Sequence, residues 1–225
     1  MAVSPSKLTI HITNDPIYAE NGMTVYLRRG GPCWIIDPGL PPQAEQILRH
    51  TSDHALVPQA IVLTHAHADH IAGIDEIRDE LGKLPVYLAK EEWRGLTDPM
   101  ENLSGLVGLG FSTSVTDPLD LPHGSTLELD GTVWQVLESS GHSPGGRTFY
   151  CASLKTAIVG DALFAGGVGR VDFHHSDGNR LLRNIRENLM TLPDDTRVLS
   201  GHGPETTIGR ERRTNPYVTG MVSLT

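Results

Sequence analysis

Hydrophobic positions in this chain form short continuous runs separated by turn residues, and the runs come in two batches. Runs rich in Val, Ile, Tyr and Trp that are bounded by Gly, Pro and Asp are typical of β-strands. The first batch predicts strands at residues 8–12, 23–27, 33–36, 61–63 and 86–88. The second batch predicts strands at residues 126–129, 133–137, 149–151, 157–159 and 198–199.

Helical spacing of apolar residues follows each batch and predicts helices at residues 43–49, from 71 to about 81, and at 179–190. Turn signals at Gly30-Gly31-Pro32 and Asp130-Gly131 predict two hairpins. The stretch 97–122 is irregular and predicts a lid or substrate loop. Because no linker divides the chain, we predict one α/β domain over residues 1–225. Its expected architecture is an αββα sandwich of two mixed β-sheets flanked by helices.

Composition and charge narrow the classes of partner. The formal net charge of −9 disfavours a nonspecific nucleic-acid binder and a protein that binds anionic membranes. Cys33 and Cys151 lie in apolar surroundings, so we expect buried thiols rather than a disulfide scaffold. Residues 1–14 lack a signal-peptide pattern, and no apolar run approaches ~20 residues. We expect a cytoplasmic protein that acts on a small molecule; its oligomeric state is not predicted.

The densest chemistry lies in the stretch Thr64-His65-Ala66-His67-Ala68-Asp69-His70, between a predicted strand and a predicted helix. In an extended backbone His65 and His67 point to the same side. Asp69 and His70 would lie in the first helical turn and face the same space. That geometry suits two neighbouring metal ions. The alternative is a polar strand-to-helix turn, with Asp69 as helix cap and the histidines exposed to solvent.

Three more candidates follow predicted strands and have glycine neighbours: His142, Asp161 and His202. Each alone is typical of an ordinary loop, but strand ends on one rim are where rigid scaffolds present sites. Imidazole and carboxylate ligands suit zinc, with iron or manganese as alternatives. Asp37, in Asp37-Pro38-Gly39, is expected either to orient a ligand histidine or to form a turn.

These motifs resemble the metallo-β-lactamase superfamily in order and spacing: HAHADH at 65–70, GHSPG at 141–145, GDALF at 160–164 and GHGP at 201–204. The resemblance implies the αββα sandwich with two divalent cations at its open edge. It assigns His65, His67 and His142 to the first metal. It assigns Asp69, His70 and His202 to the second, with Asp161 bridging the two.

Within the superfamily, a bridging Asp161 disfavours the β-lactamases. Segment 160–173 resembles glyoxalase II-like hydrolases and persulfide dioxygenases, and segment 200–216 resembles short hydroxyacylglutathione hydrolases. Full-length glyoxalase II carries a helical C-terminal domain that binds glutathione, whereas only residues 203–225 follow His202 here. Glutathione recognition is therefore expected from other groups. The candidates are Arg147, Arg170, Arg212 and His174.

The resemblance implies a metal-dependent thioester hydrolase with Asp69 and Asp161 as catalytic residues. A metal-bridging hydroxide would attack the thioester of S-(2-hydroxyacyl)glutathione, such as S-lactoylglutathione. A departing thiol of pKa ~8.5 needs no strong general acid. The alternatives are a mononuclear iron persulfide dioxygenase, a lactonase or other ester hydrolase of the superfamily, and a non-catalytic protein.

Overall fold

The computed structural model describes residues 8–224. Its first sheet has five strands in the order β1-β2-β3-β4-β5. These are β1 (Thr9–Asn14), β2 (Asn21–Tyr26), β3 (Pro32–Ile36), β4 (Val57–Val62) and β5 (Val86–Tyr87). Strands β1 to β3 pair antiparallel, and β4 pairs parallel with both β3 and β5. The sheet is therefore mixed, as predicted.

Six strands form the second sheet in the order β13-β12-β9-β8-β7-β6. Their bounds are β6 (Thr126–Leu129), β7 (Thr132–Glu138), β8 (Arg147–Cys151), β9 (Thr156–Gly160), β12 (Arg197–Ser200) and β13 (Thr206–Thr207). The β9 and β12 strands pair parallel and the other neighbours pair antiparallel. A small separate hairpin joins β10 (Leu163–Phe164) to β11 (Gly167–Val168). This second sheet is therefore also mixed.

Helices cover the outer faces of both sheets. They are α1 (Gln43–Asp53), α2 (Ala68–Ile71), α3 (Ile74–Leu81), α4 (Gly178–Asn184) and α5 (Ile208–Thr214), with 3-10 turns at Lys90–Leu96 and Ser104–Val107. On the first sheet, Ile47 of α1 and Ile77 of α3 pack against Ile61. On the second, Leu181 of α4 and Ile208 belong to the cluster that contains the buried side of β9.

The core between the sheets contains apolar side chains from both, and Trp34 meets Trp134 edge to face at 5.9 Å. Strands β2, β3, β8 and β9 bury nearly all of their residues, which is why their runs read as continuous apolar segments. The predicted αββα sandwich is confirmed. Cys33 and Cys151 are buried and free, as expected.

Some predicted boundaries were wrong. The helix expected from 71 to about 81 is two helices, because the chain turns at Gly73, whose amide donates to Pro38 O at 2.7 Å. A side chain at Gly73 would lie 3.1 Å from that same oxygen. The 179–190 helix is α4 followed by a π-helical turn at Ile185–Leu189. The β4 strand begins four residues before the predicted 61, and β10, β11, β13 and α5 were not predicted.

The two predicted hairpins are confirmed by the antiparallel pairs β2·β3 and β6·β7. At the second turn, Asp130 and Gly131 both adopt positive φ, at 47° and 81°. That is the conformation for which Asp-Gly is favoured. The single-domain boundary at 1–225 stays a prediction, and residues 1–7 and 225 lie outside the described residues. No helix within residues 8–224 combines the length and apolar character needed to cross a membrane.

Candidate metal centre

The dense histidine stretch leaves the end of β4 and enters α2, as its pattern predicted. His65 and His67 lie on the extended segment, and Asp69 and His70 lie in the short helix that His67 precedes. His142, Asp161 and His202 follow β7, β9 and β12 of the other sheet. The sandwich therefore brings all of these side chains to one edge, from both of its sheets.

Three imidazoles converge at the first set. His65 Nε2 lies 3.1 Å from His67 Nδ1, and His142 Nε2 lies 3.0 Å from that same atom. Burial lowers the pKa of all three imidazoles, so they are neutral at pH 7. Three ring nitrogens this close are typical of ligands around one cation, because zinc–nitrogen bonds of about 2.0–2.1 Å leave tetrahedral ligands about 3.4 Å apart.

The outer ring nitrogens in this set have acceptors of their own, which fixes the tautomers. His142 Nδ1 donates to the carbonyl of Arg170 at 2.8 Å. His65 Nδ1 donates to Thr64 Oγ1 at 3.0 Å, because that hydroxyl gives its own proton to Asp37 at 2.5 Å. Each donation leaves a lone pair on the Nε2 that faces the set.

The second set contains Asp69, His70 and His202. His202 Nε2 lies 3.4 Å from Asp69 Oδ2, and His70 Nε2 lies 4.0 Å from the same oxygen. The outer nitrogens again donate to oxygen acceptors: His70 Nδ1 to Asp37 Oδ2 at 3.1 Å and His202 Nδ1 to the Tyr18 carbonyl at 3.0 Å. Both imidazoles therefore direct Nε2 toward the carboxylate, and at that atom a cation would take the place of a proton.

Asp161 lies between the two sets. Its Oδ2 is 3.6 Å from His142 Nε2 and 3.4 Å from His202 Nε2, and its Oδ1 is 3.6 Å from His70 Nε2. Within residues 8–224, Asp161 Oδ1 and His70 Nε2 are buried and have no hydrogen-bond partner. Unpartnered buried polar atoms are costly unless a ligand meets them. The donor set, five imidazoles and two carboxylates, fits two divalent cations that share Asp161.

Electrostatics in the second set also favour a cation. Although burial acts in the opposite direction, His70 and His202 hold the pKa of Asp161 well below its ordinary value. The pKa of His202 is raised to about 10 because Asp161 and Asp69 outweigh the effect of burial. A negative field that binds a proton this firmly also attracts a divalent cation.

The loop that carries His202 is fixed to the first sheet independently of any ion. The Asn21 amide donates to Gly201 O at 2.6 Å, and its side-chain nitrogen donates to Ser200 O and Gly203 O, both at 2.9 Å. Asn21 begins β2, so this contact joins the two sheets at the rim. The geometry of the second set is thus preorganised by the main chain.

Asp37 lies where the sequence suggested, beneath the histidines. Besides His70, its carboxylate accepts from the Thr64 amide at 2.8 Å and from the Thr64 hydroxyl. It is buried and occupied by these three donors. Of the two readings that the sequence left open, the contacts favour orientation of a histidine.

Two of the four residues proposed to bind substrate, Arg147 and Arg212, lie outside the lining of the pocket over the centre. Arg147 is buried, and its guanidinium donates to the carbonyls of Leu121 and Gly145. Arg212 donates to the carbonyls of Met190 and Leu192 and pairs with Asp194. Both guanidiniums satisfy carbonyl groups that lack a partner in regular structure, a role that sequence alone does not distinguish from ligand binding.

Arg170 does line the pocket over the metal centre, whereas His174 is largely exposed and 3.9 Å from Glu101. Its neighbour His175 is closer to the centre, with Nε2 at 3.1 Å from His67 Nε2. The adjacent histidines His174 and His175 indicated in the sequence that one of them could line the pocket. The path of the loop places His175, and not His174, toward the centre. Glu20 is buried, with its carboxylate 3.7 Å from His70 Nδ1. Its place beside the centre was not predicted, because a single glutamate outside any motif does not indicate a site.

The centre opens into a pocket of about 350 Å³. Its walls come from the 97–122 loop, the β10 strand and the segment that contains Arg170 and Phe173. The phenyl ring of Phe173 packs edge-on against His67 and His142, at 5.5 and 5.9 Å. The loop predicted to cover a site thus borders it.

Comparison with known proteins agrees with this geometry. A sequence profile described as "Metallo-beta-lactamase superfamily" matches residues 17–202. The chain is 40% identical over 207 residues to a probable metallo-hydrolase, YqgX, of Bacillus subtilis, covering 92% of this chain and 96% of that protein. It is 34% identical over 185 residues to the hydroxyacylglutathione hydrolase GloC of Haemophilus influenzae, covering 82% and 86% of the two chains.

Solved structures show the same fold. The crystal structure of the BLEG-1 B3 metallo-beta-lactamase superposes with a TM-score of 0.87 at 36% identity, covering 95% of this chain and all of that one. The structure of TTHA1623 in a di-iron-bound form gives 0.79 at 36% identity, over 92% and 99% of the chains. Sequence, fold and edge geometry agree: this chain belongs to the metallo-beta-lactamase superfamily of metal-dependent hydrolases.

Proposed function

We propose that the seven converging side chains hold two divalent cations and that the protein hydrolyses thioesters, with S-(2-hydroxyacyl)glutathione such as S-lactoylglutathione as the substrate class. His65, His67 and His142 would hold the first ion, and Asp69, His70 and His202 the second. Asp161 would contact both. The observation that carries the proposal is the set of ring nitrogens, Nε2 and Nδ1, that converge around Asp161.

Two cations at this position would supply Lewis acidity, both to lower the pKa of a bound water and to polarise the scissile carbonyl. We propose zinc as the resident metal. Iron is the first alternative, since TTHA1623, to which the chain is similar, has been solved in a di-iron-bound form. Manganese is the second, because His and Asp ligands suit all three.

The chain's own residues orient the ligand histidines and keep bulk water away from the inner side of the centre. Asp37 and Thr64 hold His70 and His65 with their Nε2 atoms inward, so that the lone pairs need no reorganisation. The buried histidines keep bulk water from the inner side of the centre. A thiolate leaves without protonation, because its conjugate acid has a pKa near ~8.5. The pocket lining accordingly needs no acid beyond the ligand set.

The choice of thioester over other bonds is supported by similarity to GloC, whose name states hydroxyacylglutathione hydrolase. Of the residues proposed to recognise glutathione, Arg170 keeps that proposal because it lines the pocket. The complete second set favours a hydrolase with two metals over the mononuclear iron alternative. One iron per chain, with oxygen uptake on glutathione persulfide, would reverse that preference.

The deciding experiment combines metal quantitation on the purified protein with turnover of S-lactoylglutathione and simple acyl thioesters. We expect two metal ions per chain and turnover that is lost on chelation and restored by metal. His67→Ala is expected to lose both metal and turnover, whereas His123→Ala, which replaces an exposed histidine outside both ligand sets, should retain both. Background turnover by the metal-loaded protein would contradict the proposal.

A second candidate is β-lactam hydrolysis, because the chain is 36% identical to a structure named as a B3 metallo-beta-lactamase. The bridging Asp161 was the reason to disfavour it from sequence. Adding a chromogenic cephalosporin and a simple lactone to the same substrate panel tests this candidate and the lactonase alternative. Higher kcat/KM on either than on every thioester would replace the thioesterase proposal.

A further inference from the structure

The walls of the pocket are mainly apolar. Six large apolar side chains line it: Leu40, Leu103, Leu106, Leu109, Phe164 and Phe173. They occupy both sides of the metal centre, since Phe173 packs against His67 and Phe164 lies 6.2 Å from His202. A thioester bound over the centre would therefore meet apolar surface on either side.

Two leucines of the 97–122 loop that line the pocket are largely exposed to solvent. Leu106 retains 56% and Leu109 61% of their accessible surface. Exposed apolar side chains concentrated at the mouth of a pocket are typical of a binding surface. Gly108 and Gly110 adopt positive φ, at 76° and 60°, which the tight path between the leucines requires.

This loop is built rigidly at its base. The buried Asn102 side chain donates to Gly95 O at 2.8 Å and to Phe111 O at 3.0 Å, closing both ends of the loop. The main-chain carbonyl of Asn102 accepts from the Ala68 amide at 2.9 Å, which ties the loop to the helix that carries Asp69. Ser104 Oγ donates to Asn102 Oδ1 at 2.6 Å. The leucines are thus held in a defined position relative to the metal centre.

Lysine and arginine are scarce in the lining of the pocket. Among the described residues that line it, Arg170 is the single lysine or arginine. Its guanidinium donates twice to Asp172, at 2.8 and 2.7 Å, and lies 4.6 Å over the Phe173 ring. Both side chains of this ion pair are largely exposed, so the pair is weak and Arg170 remains able to meet a carboxylate of the glutathione moiety. An acyl chain, which carries no carboxylate, would therefore meet mainly the apolar side chains of this lining.

We infer that the acyl group of the preferred thioester is apolar and longer than lactoyl, and that Leu103, Leu106 and Leu109 bind its chain. This inference rests on the proposed thioester hydrolysis and specifies its substrate class. Each methylene buried on the leucines should raise kcat/KM about two- to fourfold, the lower figure applying to half burial.

The first test measures kcat/KM for S-acetyl-, S-butanoyl-, S-hexanoyl- and S-octanoylglutathione, each divided by its rate of alkaline hydrolysis. The thiol is the same in all four substrates, so a plot of log kcat/KM against the number of acyl carbons reports the acyl chain alone. We expect kcat/KM to rise with chain length in the unmodified protein and to rise less steeply in Leu106→Ser. Val107→Ser is the matched control, because Val107 is 60% exposed on the same turn and lies outside the pocket lining. A flat or falling slope, or equal flattening by both variants, would overturn the inference.

The second test does not depend on turnover. Calorimetry of the metal-loaded protein compares S-hexylglutathione with S-methylglutathione, which are thioethers and cannot be hydrolysed. We expect the hexyl compound to bind at least about thirtyfold more tightly, from five added methylenes. Equal affinities would overturn the inference even if thioesters are hydrolysed. Tight binding of the hexyl compound without turnover of any thioester would instead contradict the proposed function alone.

Discussion

Replacing His175 by leucine is expected to weaken metal binding by the first set of ligands. His67 is 4% exposed and presents Nδ1 to His65 and His142, so its proton resides on Nε2. That Nε2–H donates to His175 Nε2 at 3.1 Å. Leucine has no acceptor, and a buried donor left unsatisfied costs about 1–3 kcal/mol. The expected result is a rise in the metal dissociation constant of about 5- to 150-fold.

The assay is competition for zinc with a chromophoric chelator, and cobalt substitution reports the ligand field directly. His175→Gln is the rescue variant, because its amide oxygen can accept from His67 where the ring nitrogen did. His123→Leu is the control, since His123 is exposed and belongs to neither ligand set. A metal dissociation constant for His175→Leu within twofold of the unmodified protein would refute the role of His175 as the acceptor for His67. An equal weakening of metal binding in His175→Gln would refute it as well.

Other residues give shorter tests. Gly201→Ala would place a methyl group against Asp161 Oδ1, so we expect calorimetry to show loss of metal binding. In the control Gly167→Ala the nearest atom to the added methyl group would be 3.8 Å away, so this variant should bind metal normally. Equal metal binding by the two variants would contradict the packing at Gly201. Burial lowers the pKa of His50 to about 4, so the unfolded chain takes up a proton that the folded chain does not as the pH falls from about 6.5 to 4. Folding stability therefore falls over that pH window. Urea titrations at pH 7.5 and pH 5 measure the decrease in the free energy of unfolding, and His50→Gln should make that decrease smaller by about 1 kcal/mol, a figure that allows for the partial exposure of His50. The same decrease in the variant and the unmodified protein would contradict the lowered pKa of His50. Trp134→Ala should lower the free energy of unfolding by about 3–5 kcal/mol, and a change below about 1 kcal/mol would show that the sheet interface is not its environment.

The main features of the fold were predictable because hydrophobic burial sets them. Continuous apolar runs such as Val198-Leu199 are typical of strands covered on both faces, and their two batches predicted two sheets. The hairpin at Asp130-Gly131 followed from turn chemistry alone. The break at Gly73 was not predictable, because it depends on close approach to Pro38, which lies far away in the sequence.

The candidate site was predictable to a similar degree. Histidine and aspartate at strand ends have distinctive spacing, and the structure brings those side chains together. Arginine has no such signature. Arg147 and Arg170 look alike in the sequence, yet one satisfies buried carbonyls and the other lines the pocket. Which of two roles an arginine serves depends on which loop carbonyls lack partners, a property of the assembled fold.

The division of the ligand set between the two sheets ties metal binding to the assembly of the sandwich. His65, His67, Asp69 and His70 belong to the chain that follows β4, and the remaining members follow strands of the opposite sheet. A cation bound to both halves interacts fully only with the docked pair, so its binding energy adds to the energy that keeps the halves together. Cation supply during synthesis would then set how much of the chain reaches the docked state, and withdrawal of cations would first loosen the rim rather than the tryptophan-lined interior.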